Sequence, residues 1–467
     1  MSNPRITAIE RTVICVPFTP RCEEWNALLV RNWRVVEIVE VFTDASDIMG
    51  IGETVIHYTW QKTSDTAVRQ CIGRNAADLM WMDSIGAGLQ QALFDIVGKT
   101  LGVPVHKLLG GVQVREHVSI AWWNTKMTPD VLALEAVDAQ NAGYTYHKIK
   151  ARPWIDPFAQ VEAIASVTGS HYRIDMDWND MLLSASMATP ILKELQAHSK
   201  VALFEGPIPQ RDIEGYKLLR RRLDIPIAIH AGVPPLPVAL KEEMCDGFVV
   251  SECGATAAMR IGTVLAQFDK PFWTQPVGTG ISTAWGCHLG AVLSHQQWPM
   301  ISCMNNYADD MIMEPHKIAH GMMEVPTLPG LGVALDYDAV NRYRMDAPYT
   351  LQERRHIISI EWPGGKSVKY AYMAHRQGGN YEISPFAHAA YAGFPMLERQ
   401  CWEDFLAGNQ PIEPRGVTMR IIHDNTSSAF DSLHARCVLG PVNNVEYVDE
   451  RPHKVVGVSD DNPFKKG

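Results

Sequence analysis

The chain has 467 residues and a formal net charge of −10; 46% of its residues are hydrophobic and 20% are charged. This length predicts two or three domains, and this composition is that of a soluble globular protein with a sizeable core. The acidic balance offers no positive field for nucleic acid, and no apolar run approaches the ~18 residues that span a bilayer, so we expect neither partner.

The cysteines and the N-terminus bear on the cellular compartment. The nine cysteines are scattered, odd in number and without a CxxC pair, which argues against a disulfide framework and against a structural zinc site. The first residues, MSNPRITAIERTV, contain no apolar stretch after a basic start, so we read no secretory signal. We therefore expect a cytoplasmic protein.

Residues 1–115 have the pattern of a small α+β domain. The stretch VVEIVEVF at 35–42 is rich in β-branched residues, and Gly50 and Gly52 interrupt the strand pattern after it. Between residues 78 and 109 the spacing becomes helical. The residues that recur at this spacing are Leu89, Ala92, Leu93, Ile96 and Val97.

From residue 116 to 325, short apolar runs alternate with helical segments. The runs are HVSIAW, YHKIKA, YRIDMD, VALFEG, PIAIH, DGFVVS, PFWTQ and MISCM. Eight strands in units of about 20–30 residues predict an α/β fold, a (β/α)8-type barrel or modified TIM barrel. An open doubly wound sheet is the alternative, but no GxGxxG motif opens its first unit.

Residues 350–467 mix strand-like runs with Gly, Pro and Asn turns, without a catalytic motif. We predict a C-terminal β-rich extension that packs on the barrel or on a second subunit. We also expect a homo-oligomer.

Polar residues close four successive predicted barrel strands: Lys148 and Lys150, then Asp175 and Asp177, then Glu205, then His230. Residues two apart on a strand project from the same face, and the steps from strand to strand match one βα unit. Each residue alone has a structural explanation: a strand-end aspartate can cap a helix, a Lys-x-Lys can be a solvated face, and a histidine can fill a core. Their combined spacing favours a functional site at the carboxyl ends of the strands.

These residue types suit one chemistry. Two carboxylates and an imidazole suit a divalent metal, so Asp175, Glu205 and His230 are the predicted ligands. A lysine pair beside a metal suits removal of a proton α to a carboxylate. The ammonium of Lys148 would stabilise the enediolate while a neutral Lys150 takes the proton.

Three further motifs resemble the enolase superfamily, in its mandelate racemase/muconate lactonizing branch. QQALFDIVGKTLGVPVHKLLGG at 90–111 resembles the helix and linker that join the cap of that family to its barrel. GIGET at 50–54 and PTLPGLGVALD at 326–336 resemble two other framing motifs, the second marking the return of the chain to the cap. The resemblance implies an N-terminal α+β capping domain at 1–115, a barrel at 116–325 and a return segment at 326–349.

The resemblance also extends to the site. Lys148 and Lys150 match the Lys-x-Lys motif of the family, and Asp175 and Glu205 match its first two metal ligands. The third ligand of the family is usually a glutamate, where this chain has His230 followed by Ala231.

The chain departs from the family on the last three strands. The His–Asp dyad positions on the seventh and sixth strands hold Gln275 and Ser251, neither of which is a general base. On the eighth strand the family often has a glutamate, where this chain has Asn305 and Asn306.

A base on one face disfavours racemisation and leaves one-sided reactions. We predict a metal-dependent lyase that removes the α-proton of a carboxylate substrate, in sugar-acid dehydration or cycloisomerisation, with Asp177 assisting. The alternative is a catalytically impaired barrel that binds a sugar acid or acts as a scaffold. The expected cofactor is Mg²⁺, or Mn, Fe or Zn because of His230. The predicted substrate-binding residues are Gln275, Asn305 and Arg152, with surface pairing as the alternative for the arginine.

Overall fold

The computed structural model describes residues 4–26, 30–58, 62–251, 253–346, 355–371, 404–405, 407–411 and 413–444. Parts of the predicted return segment and extension, residues 347–354, 372–403 and 445–467, lie outside the described residues. No helix in the described ranges is both long enough and apolar enough to cross a membrane.

The N-terminal part is an antiparallel sheet covered by a helix. Its elements are β1 (Ile6–Cys15), α1 (Pro20–Asn26), β2 (Val35–Thr43), β3 (Met49–Val55), α2 (Asp65–Cys71) and α3 (Ala87–Leu101). The strands pair in the order β1-β2-β3. A Cβ atom at Gly50 would lie 2.1 Å from the carbonyl oxygen of Ala92, and one at Gly52 would lie 2.0 Å from that of Gly88. The glycines of the GIGET motif therefore let β3 lie directly on α3.

The central part alternates strands and helices, after a short strand β4 (His117–Ser119). The strands and the helices that follow them are β5 (Trp122–Trp123), α4 (Pro129–Asn141), β6 (Tyr146–Lys150), α5 (Pro157–Val167), β7 (Arg173–Asp177), α6 (Ala185–Gln196), β8 (Val201–Glu205), α7 (Ile213–Arg220), β9 (Ile227–His230), α8 (Leu236–Lys241), β10 (Gly247–Ser251), α9 (Ala255–Gln267), β11 (Phe272–Gln275) and α10 (Gly280–Val292). The strands form one parallel sheet in the order β11-β10-β9-β8-β7-β6-β5.

The predicted eighth strand, MISCM, is not a regular strand, although its backbone closes the barrel. Met300 donates its N–H to Ser119 O at 2.7 Å, and its own carbonyl oxygen accepts from Ala121 N at 3.0 Å. On the other side Ile301 donates to Thr274 O at 3.1 Å. The run therefore lies between the first and last strands but makes only isolated pairs with them.

The first predicted strand, HVSIAW, is divided between two sheets. Its first half is β4, which belongs to a separate three-stranded sheet, and its second half continues into β5 of the barrel. In that sheet β4 pairs antiparallel with β13 (Met322–Glu324), which pairs in turn with β12 (Ile318–Ala319).

Residues beyond 326 return to the N-terminal part. Leu331 donates its N–H to Asp95 Oδ1 of α3 at 2.8 Å. Helix α11 (Tyr337–Tyr343) follows, and its Tyr337 hydroxyl donates to Glu40 of β2 at 2.7 Å. These contacts agree with a return segment, while the predicted domain boundaries stay predictions.

The described part of the C-terminal extension is a sheet with one helix packed on it. It consists of β14 (His356–Glu361), β15 (Ser367–Ala371), β16 (Thr418–His423), α12 (Ser428–Leu439) and β17 (Val442–Asn443), with strand order β16-β14-β15-β17. The extension packs on the barrel, because Gly416 donates its N–H to Asp156 Oδ2 at 2.6 Å, and Asp156 N donates to Val417 O at 3.2 Å. Asp156 also caps α5, so the extension is joined to the loop that follows β6.

Candidate active site

The predicted site residues meet at the carboxyl ends of adjacent parallel strands. Lys148 stands beside Asp175, Lys150 beside Asp177, and Asp177 beside Glu205 in the strand register. Alternation along each strand directs the two lysines and the two aspartates toward the same side of the sheet. The side chain of Lys150 is 12% exposed, whereas the other residues of the cluster are buried: Lys148, Asp175, Asp177 and Glu205.

Three lysine–carboxylate ion pairs organise the centre of the site. The ammonium of Lys148 donates to Glu205 Oε2 and lies 3.7 Å from Asp177 Oδ2. It also donates to Gln275 Oε1 at 3.2 Å and lies 4.9 Å from the centroid of the Trp273 ring. Lys150 donates to Asp177 Oδ2. The site therefore holds two ammonium groups among three carboxylates, with little solvent to screen them.

The charges shift the pKa values in different directions. Burial would lower the pKa of Lys148, but Glu205 and the two aspartates outweigh burial and raise that pKa, so Lys148 stays cationic. Burial would likewise raise the pKa of Asp177, but Lys150 and Lys148 hold that pKa well below its ordinary value. Burial, helped by Asp177, raises the pKa of Glu205 to about 7. Burial also raises the pKa of Asp175 well above its ordinary range, although Lys148 opposes the shift.

His230 closes β9 and is held between two side chains. Its Nδ1 lies 3.0 Å from Ser251 Oγ, and its Nε2 lies 3.1 Å from Glu205 Oε1. Burial, helped by the positive charge of Lys148, lowers the pKa of His230 to about 3. The imidazole is therefore neutral, the form in which one ring nitrogen can bind a metal.

The donor atoms suit a divalent cation. Asp175 Oδ1 is buried and has no hydrogen-bond partner among the described residues, which is a costly state for a carboxylate oxygen. Adjacent ligands about 2.1 Å from an octahedral cation lie about 3.0 Å apart, close to the 3.1 Å between Glu205 Oε1 and His230 Nε2. In the described part of the chain no three His, Cys, Asp or Glu side chains are arranged as a metal site, and Glu205 Oε2 accepts a hydrogen bond from Lys148.

The three predicted substrate-binding residues are placed differently. Gln275 lies in the site, where it accepts from Lys148 and donates from Nε2 to the Tyr58 hydroxyl at 2.7 Å. Asn305 pairs through both amide atoms with the backbone of Trp123, at 3.1 and 2.9 Å, and so joins the eighth run to β5. The buried guanidinium of Arg152 donates to Ala151 O and to Asn179 Oδ1. Asn305 and Arg152 therefore form hydrogen bonds with other groups of the protein, and their roles in binding a substrate stay predictions.

Aromatic residues surround the lysines, and part of this was not predicted from the sequence. The Trp33 ring of the N-terminal part packs in tilted contacts against Tyr58 and Trp123, with ring centroids 4.4 and 5.4 Å away, and Lys150 Nζ lies 6.0 Å from the centroid of the Trp123 ring. Trp273 stands two residues before Gln275 on β11, so the two-residue periodicity of a strand would have placed it in the site. For Tyr58 the sequence carries no comparable signal.

Taken together, the fold and the site define a capped (β/α) barrel whose strand ends gather lysines, carboxylates and an imidazole. Comparison with known proteins agrees. The sequence model of the family described as Enolase C-terminal domain-like matches residues 131–340. The chain is 24% identical to arabinonate dehydratase of Saccharolobus solfataricus over 302 residues, 62% of this chain and 79% of the relative.

Two other proteins extend this comparison. The chain is 27% identical to D-galactonate dehydratase of Xanthomonas oryzae pv. oryzae over 333 residues, 65% of this chain and 83% of the relative. The crystal structure of 2-chloromuconate cycloisomerase from Rhodococcus opacus 1CP has the same fold, with a TM-score of 0.60, 20% identity, and coverage of 74% of this chain and 100% of that one. Residues 131–340 thus match the enolase superfamily, and the chain resembles proteins of its mandelate racemase and muconate lactonizing branch.

Proposed function

We propose that the chain is a metal-dependent lyase that removes the α-proton of a carboxylate substrate, in sugar-acid dehydration or cycloisomerisation through an enediolate. The observation that carries the proposal is the buried cluster of Lys148, Lys150, Asp175, Asp177 and Glu205 at adjacent strand ends. The dehydratases and the cycloisomerase among its relatives support this class of reaction.

The two lysines suit different roles. Lys148 is fully buried, and the carboxylates around it keep it cationic, so it can stabilise negative charge that develops on the substrate. Lys150 is the more accessible of the two, which suits the group that touches the α-proton. Its Nζ is paired with Asp177 Oδ2 in this structure.

Asp175, Glu205 and His230 are the residues that would hold the divalent cation. When bound, such a cation would offset the charge of the enediolate carboxylate. The chain's own contribution is to hold Glu205 Oε1 3.1 Å from the neutral imidazole of His230 and to keep Asp175 buried on the strand next to that of Glu205. Ser251 orients the His230 ring through Nδ1, which leaves Nε2 toward Glu205.

The strands opposite the lysines carry neutral residues. Ser251 closes β10 and Gln275 closes β11, next to each other in the register. A proton removed on the lysine side is therefore not replaced from the other face, so elimination or cyclisation fits better than racemisation. Asp177, His230 and Asn305 are the candidates to help the leaving group depart.

A substrate screen tests the proposal. The full chain is incubated with a library of acid sugars and with cis,cis-muconate, with Mg²⁺ or Mn²⁺ supplied. Keto acids are trapped as semicarbazones and lactones are followed by ultraviolet absorbance. We expect a keto acid from at least one sugar acid, none from Lys150→Met, and an unchanged rate from Lys193→Met, a control at an exposed lysine of α6.

The second candidate is a barrel that binds a sugar acid without turning it over. The neutral pair Ser251 and Gln275, at the positions of the family's dyad, is the observation that favours it. In that case calorimetry would detect binding of a sugar acid while the screen detects neither product nor α-proton exchange.

A further inference from the structure

The loop between β6 and α5, residues 151–156, is buried along its whole length. Loops normally run over the surface of a protein, where water satisfies their backbone groups. This loop begins directly after Lys150 of the site and ends at Asp156, the residue that caps α5. Its two charged residues, Arg152 and Asp156, are 0% and 9% exposed, and both make hydrogen bonds that reach beyond the loop.

One end of the loop is bound to the C-terminal extension. Asp156 Oδ1 accepts from the N–H groups of Phe158 and Ala159, at 2.9 and 3.0 Å, as the cap of a helix does. Its Oδ2 accepts from Gly416 N at 2.6 Å, and its own N–H donates to Val417 O at 3.2 Å. The carboxylate therefore divides its two oxygen atoms between α5 and the extension.

A second contact beside Asp156 holds the extension on the barrel. The guanidinium carbon of Arg415 lies 4.1 Å from the centroid of the Phe158 ring, and the same guanidinium pairs with Glu194 of α6. The extension therefore contacts both helices that follow the lysine and aspartate strands. It lies beyond residues 131–340, the part of the chain that matches the family model.

The other end of the loop contacts the ion pair of Lys150 and Asp177. Arg152 donates from Nη2 to Asn179 Oδ1 at 2.8 Å and from Nη1 to the Asp177 carbonyl oxygen at 3.4 Å. Asn179 donates its N–H to Asp177 Oδ1 at 2.9 Å, and the other carboxylate oxygen of Asp177 accepts from Lys150. Arg152 therefore holds Asn179, and Asn179 fixes which oxygen of Asp177 faces Lys150.

Backbone hydrogen bonds make the loop a short connection between its two ends. Ala151 donates its N–H to Asp177 O at 2.9 Å, and Ile155 donates to Arg152 O at 3.1 Å. Only three residues separate Arg152 from Asp156. A displacement of Asp156 is therefore passed to Arg152 through a single turn of the chain.

We propose that the C-terminal extension positions the ion pair of Lys150 and Asp177 for proton transfer, through the contact of Gly416 with Asp156. The inference rests on the proposed function. It assigns Asp156 as a positioning residue that acts through Arg152 and touches no reacting atom. A cap of α5 needs only Oδ1, so the bond from Gly416 to Oδ2 is the feature that distinguishes this role from capping alone.

Asp156→Asn separates the two roles. The amide oxygen can still accept from the start of α5, because Asn caps helices about as well as Asp. Its NH2 group then faces the N–H of Gly416, and two donors cannot bond each other. Asp212→Asn is the matched control, because Asp212 is exposed and caps α7 through Gly215 N at 2.9 Å.

The variants are compared in the full chain, with Mg²⁺ or Mn²⁺ and the acid that the substrate screen shows to be turned over. Asp156→Asn should lower kcat at least about tenfold and change KM less than about twofold, because it misplaces the reacting groups without removing a group that binds substrate. Asp212→Asn should keep both constants within about twofold of the wild type. Hydrogen exchange followed by mass spectrometry should be faster at residues 151–156 in Asp156→Asn and unchanged there in the control.

A double variant tests the route through Arg152. Asn179→Gly removes the side chain that Arg152 holds, and glycine accepts the left-handed φ of 45° at this position. If Asp156 acts through Arg152 and Asn179, the kcat of Asp156→Asn/Asn179→Gly should lie within about twofold of the slower single variant. Losses from independent sites would instead multiply.

The inference is overturned if Asp156→Asn keeps the wild-type kcat, whether or not its KM rises, or if the two losses multiply in the double variant. Failure of the proposed function looks different. It would show in the wild-type chain, as neither turnover nor α-proton exchange with any acid of the screen, and it would remove the role of Asp156 with it.

Discussion

Glu53 of the GIGET motif is a buried carboxylate that joins the N-terminal part to the barrel. It is fully buried in β3, and its Oε1 accepts from the N–H groups of Thr279 and Ser282, at 2.8 and 2.7 Å. Its Oε2 accepts from the Thr279 hydroxyl at 2.5 Å. Thr279 and Ser282 lie at the start of α10, where a negative charge is favourable because the helix dipole is positive.

Removal of this carboxylate should destabilise the protein strongly. Glu53→Ala leaves three buried donors without an acceptor, at about 1–3 kcal/mol each, and the relief of a buried charge offsets part of that cost. We expect a net loss of about 3–5 kcal/mol, which is a large fraction of the stability of an ordinary domain. Glu53→Gln keeps one acceptor and should lose about 1–3 kcal/mol.

Urea unfolding followed by tryptophan fluorescence measures these losses. Glu10→Ala, which changes an exposed glutamate on strand β1 of the same sheet, is the matched control and should change the free energy of unfolding by less than about 0.5 kcal/mol. The reasoning is refuted if the free energies of unfolding of Glu53→Ala and the control differ by less than about 0.5 kcal/mol, because the lost hydrogen bonds predict a difference of about 3–5 kcal/mol.

Three further predictions concern the metal, pH and the second lysine. His230→Ala should weaken Mn²⁺ or Zn²⁺ binding at least about tenfold and Mg²⁺ binding less, because the softer cations prefer the nitrogen donor; equal losses for all cations in calorimetry would argue against a ligand role. Burial and Asp309 raise the pKa of Asp310 to about 6, so its folded state holds a proton that the unfolded state releases. The free energy of unfolding should therefore fall as the pH rises from about 4 to about 6. Asp310→Asn should lessen that fall by about 2 kcal/mol, measured by urea titrations at the two pH values. An equal fall in the variant and the wild type would contradict the prediction. Lys148→Met should lower the thermal unfolding midpoint, because it leaves Glu205 and Asp177 buried with one cation fewer. A midpoint equal to that of Lys193→Met would contradict this prediction.

Much of the barrel follows from the sequence because its signals are local. The short apolar runs gave the strands β6 to β11, and residues two apart on a strand predicted that Lys148 and Lys150 share a face. The spacing of one βα unit then placed Asp175, Glu205 and His230 at the same end of the sheet. The structure of the eighth apolar run, MISCM, was harder to predict, because its pairing depends on the first and last strands of the barrel and not on its own residues.

The contacts inside the site could not be predicted in the same way. Periodicity gives the face of a strand, but it does not say that Lys148 pairs with Glu205 or that Lys150 pairs with Asp177. The contact of Gln275 with Tyr58 joins positions 217 residues apart. Glu53 is a similar case. It belongs to the GIGET motif, but only the structure shows that its carboxylate binds the start of α10.

The central claim is that Lys150 removes the α-proton of a bound carboxylate. The most direct measurement is proton NMR of a binding sugar acid in D2O with the chain and a divalent cation, which follows loss of the C2 proton signal or appearance of product. The account predicts exchange or turnover with the wild-type chain and with Lys193→Met, and neither with Lys150→Met, although that variant still binds the sugar acid and the metal. Exchange at the wild-type rate in Lys150→Met would contradict the account and assign the base elsewhere, to Asp177 or His230.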